Sequence, residues 1–407
     1  MLGRTWNLPG IAGLIGLLIF LLISPVGADA TWNYKIVSDP EIFGIHADVS
    51  GDHVVYSGSI GEPMLEKSQR VIQLYSQSSG DQIRLATSDP GSLLTGENID
   101  GNYVVWFSEL PLESTADIPN RIFLYSIAEK NLSLLRTSPG AAWPKVSGKH
   151  VIWSESTNNS FESSIILTDI ETGNSLKVPG ISTIHTAGVG YNGEYILYSE
   201  TNTSNLLLYK TSTGATTTVF APSSDNKIRE NIFGSALGDN YVLYRKDVTV
   251  ESFKEQYSEL CLYTISTGKT TLINPLTGDI IETLSKSEKS AVFSPQAADK
   301  TRVAWTVMEG MSKYRIMVLD PTTRTVSSVS PKTYVNFVQL DGRNMTWLGT
   351  ASFAGKGNIF LGIESGSVGS PVSTSPSRTP GFGLVLMVGA LLAGFFLASY
   401  TEKGKKR

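Results

Sequence analysis

The sequence predicts an all-β protein built from one repeated four-stranded unit. Seven times along the 407 residues, a turn is followed by two or three apolar residues that end in an aromatic side chain. A second apolar strand follows every copy, and a Thr-rich stretch often comes after it. Units of about 45 residues with four short strands are typical of the blades of a β-propeller. The residues that end the seven copies are Tyr56, Trp106, Trp153, Tyr198, Tyr244, Trp305 and Trp347.

We therefore expect a seven-bladed β-propeller of four-stranded antiparallel blades over residues 31–364. In five copies a glycine stands five positions before the aromatic residue, where a tight hairpin needs a positive φ. Asp239 and Lys300 take that place in blades five and six, so the strand registers are less well defined there. The repeated aromatic residues are expected to pack between blades.

One strand is displaced from its unit. It occupies residues 32–37, before the first unit, whereas unit seven lacks an outer strand. It ends in Ser-Asp-Pro at residues 38–40, and the outer strand of blade one ends in the same tripeptide at residues 88–90. We expect it to complete blade seven and so to remove two open sheet edges. A two-sheet sandwich or an open solenoid is the alternative, but neither explains the displaced strand.

The predicted ring lies between segments that are typical of export and membrane anchoring. Residues 1–30 carry a basic residue, an apolar core and a small-residue cleavage site, which is typical of a signal peptide; a first transmembrane helix is the alternative. Residues 365–379 are rich in Ser, Thr and Pro and predict an extended stalk, bare or O-glycosylated. Residues 380–400 are long and apolar enough to span a membrane, and the basic segment 401–407 predicts a cytoplasmic tail. We expect a protein anchored on the extracellular side of the plasma membrane.

Composition limits the partners and the covalent chemistry. The formal net charge is −4, which argues against nucleic-acid binding through phosphate contacts. Cys261 is the single cysteine, so no disulfide can form within the chain. Because it lies in a predicted strand, we expect it to be a small buried residue.

The C-terminal segment resembles the PGF-CTERM sorting signal of archaeal surface proteins in three features: the tripeptide Pro380, Gly381 and Phe382, the apolar run after it and the basic end. The resemblance implies that an archaeosortase processes the signal and that a prenyl-derived lipid replaces the helix; a retained single-pass anchor is the alternative. Residues 32–364 resemble the β-propeller repeat proteins of methanogen cell surfaces, which share hairpins of the Gly-(Asp/Asn)-x-Val-Val-(Trp/Tyr) type. That resemblance implies an envelope location and partner binding rather than a reaction.

Three carboxylates are candidate ligand contacts. Glu109, Glu155 and Glu200 each lie just beyond a repeated aromatic residue, so they would occupy neighbouring positions on one rim of the ring. Carboxylates there suit Ca²⁺ or sugar hydroxyls, and the alternative is a relic of the repeat that faces water. His46 and His185 fall in predicted inner strands, which face the channel.

Four sequons occur in the chain. They make Asn131, Asn158, Asn202 and Asn344 candidate N-glycosylation sites. Asn158 and Asn202 fall in predicted loops, Asn131 at a turn and Asn344 in a hairpin.

The sequence contains no nucleophile elbow, phosphate loop, dinucleotide fingerprint or zinc spacing. We therefore expect no catalytic residue, cofactor or bound metal, and predict a non-catalytic binding or adhesion module for an envelope protein or glycan. The alternatives are an extracellular polysaccharide lyase or hydrolase and a structural component of a surface lattice. An enzyme would require acids, bases or metal ligands to converge at the channel mouth, and two or more of the two channel histidines and three rim carboxylates meeting there would favour it.

Overall fold

The structure, a computed structural model, describes residues 31–61, 68–109, 119–138, 140–156, 163–179, 190–200, 203–251, 255–310, 313–351 and 356–365. These residues form seven antiparallel sheets, six of four strands and one of five. The first strands of neighbouring sheets contact one another all the way around, so they are the inner strands of a closed ring. The prediction of an all-β, seven-bladed propeller is confirmed.

Strand β1 (Thr31–Ile36) precedes the first blade. Blade one contains β2 (Ile42–Ser50), β3 (His53–Ile60), β4 (Gln69–Ser76) and β5 (Gln82–Thr87). Blade two contains β6 (Leu93–Asp100), β7 (Tyr103–Glu109), β8 (Asn120–Ser126) and β9 (Asn131–Ser138). Blade three contains β10 (Ala142–Ser147), β11 (His150–Ser156), β12 (Ser163–Asp169) and β13 (Ser175–Lys177). Blade four contains β14 (Gly190–Tyr191), β15 (Tyr195–Ser199), β16 (Leu206–Lys210) and β17 (Thr216–Phe220).

Blade five is the largest. It contains β18 (Ile228–Leu237), β19 (Tyr241–Val250), β20 (Glu255–Thr264), β21 (Lys269–Ile273) and β22 (Ile280–Ile281), and helix α1 (Lys286–Lys289) follows it. Blade six contains β23 (Val292–Ala298), β24 (Val303–Met308), β25 (Tyr314–Asp320) and β26 (Thr325–Val329). Blade seven contains β27 (Tyr334–Asp341), β28 (Asn344–Thr350) and β29 (Gly357–Ser365).

The repeated aromatic residues form the core between the blades, as predicted. Each lies on the second strand of its blade and is at most 3% exposed. Trp106, for example, packs with apolar residues of blades one and two. The hairpins before these strands turn at glycines such as Gly51 and Gly193, whose φ values are +54° and +93°. A side chain is disfavoured in that backbone conformation, which explains the spacing of glycine in the repeat.

Strand β1 closes the ring. It pairs antiparallel with β29 from Thr31 with Ser365 to Ile36 with Phe360, and so supplies the fourth strand of blade seven. The indole N–H of Trp32 also donates a hydrogen bond of 3.1 Å to Ser327 Oγ in blade six. The prediction that the displaced strand completes blade seven is confirmed.

Hydrogen bonds between hairpins link the blades at one rim. The Gly51 N–H donates to Asp341 Oδ2 at 2.5 Å, the Gly101 N–H to Ser50 Oγ at 3.0 Å and the Gly148 N–H to Asp100 Oδ2 at 2.6 Å. In each case the side chain of the last residue of an inner strand accepts the hydrogen bond from the hairpin glycine of the next blade. Blades seven, one, two and three are therefore held in register by one recurring contact.

Residues 247–259 of blade five are rich in charged side chains. Most of that segment extends the antiparallel pair β19 and β20, whose register runs from Tyr241 with Thr264 to Val250 with Glu255. Lys246 holds the extension, because its Nζ lies 3.1 Å from Glu230 Oε1 and 2.6 Å from Glu259 Oε2. Charged side chains of this segment, such as Asp247 and Glu259, thus belong to paired strands.

Several predictions about the termini fall outside the described residues: the signal peptide at 1–30, the stalk beyond residue 365, the apolar segment 380–400 and the basic tail. Within the described ranges, none of the helices combines the length and the hydropathy that a membrane span requires. Cys261 is buried in β20, as predicted.

Candidate functional site

The inner strands share an irregularity that shapes the channel wall. Among the described residues, the pairing with the second strand shifts by one residue in the inner strands of blades one, two, three, five, six and seven, while the residues before Gly190 in blade four lie outside the described ranges. Counted back from the hairpin along the inner strand, one position falls within the shift or directly beside it in each of these blades, and we call it the bulge position. It is occupied by His46, Gly96, Trp143, Gly234, Pro295 and Phe337 in blades one, two, three, five, six and seven.

Two large aromatic residues adopt a strained backbone at the bulge position. The φ values of Trp143 and Phe337 are +53° and +52°, and Gly96 and Gly234 have positive φ at the same place. For a bulky side chain this conformation is an outlier that costs about 1–3 kcal/mol. Both rings are nevertheless 44% and 48% exposed, respectively. Strain at exposed aromatic residues on the inner strands points to a role other than packing.

His46 is backed by a buried carboxylate. Its Nδ1 lies 3.0 Å from Glu97 Oε1, which also accepts a 2.8 Å hydrogen bond from the Ser57 N–H. The side chain of Glu97 is fully buried, whereas that of His46 is 19% exposed. Among the described residues nothing hydrogen-bonds His46 Nε2, and Glu97 Oε2 also has no partner there. A carboxylate on Nδ1 fixes the ring and leaves Nε2 available for proton transfer.

Glu97 directly follows the bulge position of blade two, and its residue type differs there from that of several other blades. Ala47, Pro144 and Val338 occupy it in blades one, three and seven, and all three are buried. Glu97 therefore places a carboxylate where neighbouring blades place apolar side chains. Burying a charge there is unfavourable unless a partner stabilises it, and His46 of the adjacent blade is that partner.

A second polar chain links the same inner strands. Asp48 Oδ2 accepts hydrogen bonds from Asn98 Nδ2 at 2.5 Å and from the Ile99 N–H at 3.1 Å. Asn98 Oδ1 in turn accepts from the Val146 N–H at 2.7 Å. Burial raises the pKa of the Asp48 carboxyl, although the charge of Lys145 on the third blade opposes that shift. Blades one, two and three are thus connected along the channel wall by the buried Asp48 and the half-buried Asn98.

One aromatic ring contacts the histidine, and a second lies on the inner strand of blade three. Phe337 meets His46 edge to face with ring centroids 5.4 Å apart. Trp143 contacts the buried ring of Phe107 at 5.4 Å. An added Cβ at Gly96 would lie 2.8 Å from the ring of Phe107, so a larger residue does not fit at this position. The inner strands of blades seven, one and three therefore present Phe337, His46 and Trp143 at one level of the ring.

The three carboxylates predicted for the rim are not joined to one another by any contact of the described residues. Glu109 ends β7 and is half-buried. Glu155 is held by Arg136 Nη2 at 2.8 Å and by the Ser138 hydroxyl. Glu200 is held by Thr203 and Asn205. Burial alone would raise the pKa of Glu155, but the hydrogen bonds from Arg136 and Ser138 outweigh it and the pKa is lowered. Their role as ligand contacts stays a prediction.

His46 lies on an inner strand, as predicted, while His185, Asn158, Asn202 and the tripeptide Pro380, Gly381 and Phe382 lie outside the described residues. The other two sequons differ in exposure. Asn131 is exposed at the start of β9. Asn344 Nδ2 donates a 2.7 Å hydrogen bond to the Gly51 carbonyl, so a glycan there would break a contact between blades.

Sequence reasoning missed Glu97, Trp143 and Phe337. A signal for the two aromatic residues was present, because every residue of the bulge position stands ten residues before the repeated aromatic residue of its blade. The signal for Glu97 was weaker, since one polar residue in a polar stretch resembles a solvated strand end. Only its burial against His46 distinguishes it.

Comparisons with known proteins agree with the fold. No protein-family model matches the chain, and neither does any curated protein sequence. Among solved structures, the β-propeller domain of the Trilobed protease from Pyrococcus furiosus, described as having an open velcro topology, aligns with a TM-score of 0.57 and 9% identity, over 84% of this chain and 99% of that one. The acylaminoacyl peptidase of Pyrococcus horikoshii aligns with a TM-score of 0.54 and 9% identity, over 79% of this chain and 51% of that one. An oligogalacturonate lyase in complex with manganese aligns with a TM-score of 0.52 and 9% identity, over 83% of this chain and 95% of that one.

These neighbours contradict the prediction of a non-catalytic binding or adhesion module that is not an enzyme. All three are enzymes or parts of enzymes, so the enzyme alternative fits them better. The chain spans about half the length of the acylaminoacyl peptidase but nearly all of the lyase. Identities of 9% show the shared fold alone, and the activity has to be argued from the site.

The manganese in the lyase raises the question of whether this chain could hold a metal. No group of three or more His, Cys, Asp or Glu side chains comes together in the part of the chain that the structure describes. In the described part of the channel wall, His46 and Glu97 form a pair that supplies two ligands at most, and Glu97 is already hydrogen-bonded to the Ser57 N–H. The described residues do not fit a metal site, and we derive no step through a metal.

Proposed function

We propose that this chain is an extracellular propeller enzyme that cleaves an acidic polysaccharide by β-elimination. The observation that carries the proposal is the His46–Glu97 pair on the channel wall. It supplies a general base whose orientation is fixed by a buried carboxylate and whose second nitrogen is available. The nearly complete overlap with the lyase supports a propeller of this size as a whole enzyme.

The reaction requires only one base at the substrate. His46 Nε2 takes the proton on the ring carbon next to the carboxylate of a uronate residue. The electron pair left behind becomes a carbon–carbon double bond as the glycosidic C–O bond at the neighbouring carbon breaks, and water protonates the leaving oxygen. The ammonium of Lys145, which acts on Asp48 from the same wall, supplies positive charge for the uronate carboxylate.

The alternative of a hydrolase fits the described residues less well. Glycoside hydrolysis uses two carboxyl groups that flank the scissile bond. Glu97 is fully buried behind His46, and Asp48 is buried by its contacts to Asn98 and Ile99. Neither of these two carboxylates is placed to reach a substrate, whereas the histidine is partly exposed.

A test uses the full chain, extracted from membranes in detergent and incubated with polygalacturonate, alginate and a neutral glucan. We expect ultraviolet absorbance from the new conjugated double bond with a uronate polymer only. His46→Ala and Glu97→Gln should lower kcat by about 10²–10⁴-fold, with no change for His53→Ala, a histidine of the hairpin. Reducing ends without the absorbance would identify a hydrolase, and inactivity on all polysaccharides would contradict the proposal.

A second candidate is the propeller part of a peptidase. The alignment over 99% of the propeller domain of the Trilobed protease favours it. The same preparation should then bind unblocked or acylated peptides rather than uronates, and His46→Ala should leave that binding unchanged.

We also propose that the enzyme is exported and held at the cell surface. The signal-like residues 1–30, the apolar segment 380–400 and the resemblance of residues 380–382 to a PGF-CTERM signal support this proposal. The resemblance further suggests an archaeal source and an archaeosortase that exchanges the helix for lipid. Intact-mass analysis of the extracted protein should then lack the peptide beyond Phe382, and a species that retains Arg407 would indicate a plain transmembrane anchor.

A further inference from the structure

Trp143 and Phe337 occupy a position where glycine would be the natural residue. The chain itself shows this, because Gly96 and Gly234 stand at the bulge position in blades two and five with φ values of +68° and +83°. A packing role alone would favour glycine or a residue of normal φ, since the strain would then be avoidable. The two aromatic residues therefore persist against a local backbone preference.

Burial of the two rings does not compensate for the backbone strain, because both rings are largely exposed. They are 44% and 48% exposed, whereas the repeated aromatic residues of the second strands are at most 3% exposed. The rings are also held in place: Phe337 by His46 at 5.4 Å and Trp143 by Phe107 at 5.4 Å. Fixed and exposed aromatic faces on the inner strands form a prepared binding surface.

We propose that Trp143 and Phe337 are the platforms that bind sugar rings of the substrate in the channel, near His46. The inference rests on the proposed function and names the residues that position its substrate. An aromatic face offers apolar area to the C–H face of a pyranose ring, while the ring hydroxyls stay available to polar groups. The contact of Phe337 with His46 places one platform beside the proposed base.

The decisive variants are Trp143→Gly and Phe337→Gly. Because glycine adopts positive φ without strain, each variant should keep or raise the thermal midpoint while it removes the platform. We expect KM for the uronate polymer to rise roughly tenfold or more for each variant, with kcat changed by less than about threefold. Trp143→Phe and Phe337→Tyr keep an aromatic face and should restore most of the affinity.

Matched controls come from two exposed turn residues with the same backbone conformation. Lys130 and Arg324 have φ values of +51° and +57°. Lys130→Gly and Arg324→Gly should relieve strain in the same way and leave KM unchanged. An equal effect of these controls on KM would show that backbone relief, not loss of a platform, causes the change.

Binding in the Glu97→Gln background, which lowers turnover but keeps the His46 ring beside Phe337, separates this inference from the proposed function. Calorimetry with oligouronates measures affinity there with little turnover. If both glycine variants cleave the polymer with the kcat, KM and affinity of the wild type, the platform assignment is wrong and the lyase proposal is unaffected. Aromatic-dependent binding of oligouronates by a chain that never cleaves them would support the platforms and overturn the lyase. Aromatic-dependent binding of peptides instead would overturn the assignment to sugars.

Discussion

Glu97 shows how much one residue decides in this ring. Its carboxylate lies at a position that three other blades fill with buried apolar side chains, and one of its oxygens has no partner among the described residues. An unpaired buried oxygen costs about 1–3 kcal/mol, so the residue lowers the stability of the site it belongs to. Such costs are typical of functional sites, where a fixed partner for a reactive side chain matters more than stability.

Cys261 is the opposite case, a potentially reactive residue that its surroundings keep inert. Burial, with a smaller contribution from the charge of Glu259, raises the pKa of the thiol to about 12. At pH 8 only about one molecule in 10⁴ would then carry the thiolate that reacts with thiol reagents. We expect no labelling of native protein over a period in which the denatured chain reacts completely, as measured by intact mass.

The raised pKa of Cys261 also predicts how the stability of the protein changes at alkaline pH. Because its pKa is higher in the folded state than the ordinary value of 9, the folded protein retains the proton longer and loses stability as pH rises above about 9. Rapid stoichiometric labelling of the native protein at pH 8 would contradict the burial of Cys261.

At the scale of elements, the extended pair β19 and β20 depends on Lys246. Burial alone would lower the pKa of this ammonium, but hydrogen bonds to Glu259 and Glu230 outweigh it, so the pKa is raised above its ordinary value of 10.5. One cation thus joins three neighbouring strands of blade five. Without it, two carboxylates would face each other across β19.

Lys246→Met should therefore destabilise the protein by about 2 kcal/mol near pH 7, between the values typical of exposed and buried ion pairs. The contribution of Lys246 is fully present below pH 10.5 and is lost as pH rises through the higher folded pKa, so the difference from wild type should shrink in strong alkali. Denaturant unfolding measures both effects.

Lys149 provides the matched control, since its Nζ lies 3.6 Å from Asp169 and 3.4 Å from Glu171 but its side chain is half exposed. Lys149→Met should change the unfolding midpoint by no more than the error of the measurement. Equal effects of the two substitutions would show that the position of Lys246 between strands is not what stabilises blade five.

At the scale of the whole molecule, the ring is closed by non-covalent contacts of a single strand. The six residues of β1 pair with β29, and Arg302 of blade six strengthens the junction. Its Nη1 lies 2.8 Å from Glu364 Oε2, and its guanidinium lies 5.7 Å from the centroid of Trp32. Blades six and seven and the N-terminal strand therefore meet at one cation.

Deletion of residues 31–37 should remove roughly 5 kcal/mol through lost burial of Trp32 and Val37 and lost strand hydrogen bonds. For a ring of this size that corresponds to a fall of about 7 °C in Tm. A synthetic peptide of residues 31–37 added in trans should recover most of the loss, because it can pair with the freed edge of β29. Calorimetry measures both.

Ile36→Thr is the control, since Ile36 is exposed and threonine keeps the strand preference. It should leave Tm close to that of wild type. An unchanged Tm after the deletion would mean that β1 does not hold the ring closed.

The sequence by itself determined the blades, their number and the closing strand. These features depend on short-range patterns, namely a glycine turn, an apolar run and an aromatic residue, and such patterns state which residues pair with their neighbours in the chain. Burial of the repeated aromatic residues and of Cys261 follows from the same patterns. Even the bulge position keeps a constant distance from the aromatic residue of its blade.

Only the tertiary structure decided the site. His46 and Glu97 lie on different blades, and their contact depends on how two inner strands pack around the channel. The strain of Trp143 and Phe337 is likewise invisible in a sequence, because it is set by a register shift between strands and not by residue type. Local preferences fix elements that are close in the chain, whereas a site made between blades depends on the closed ring.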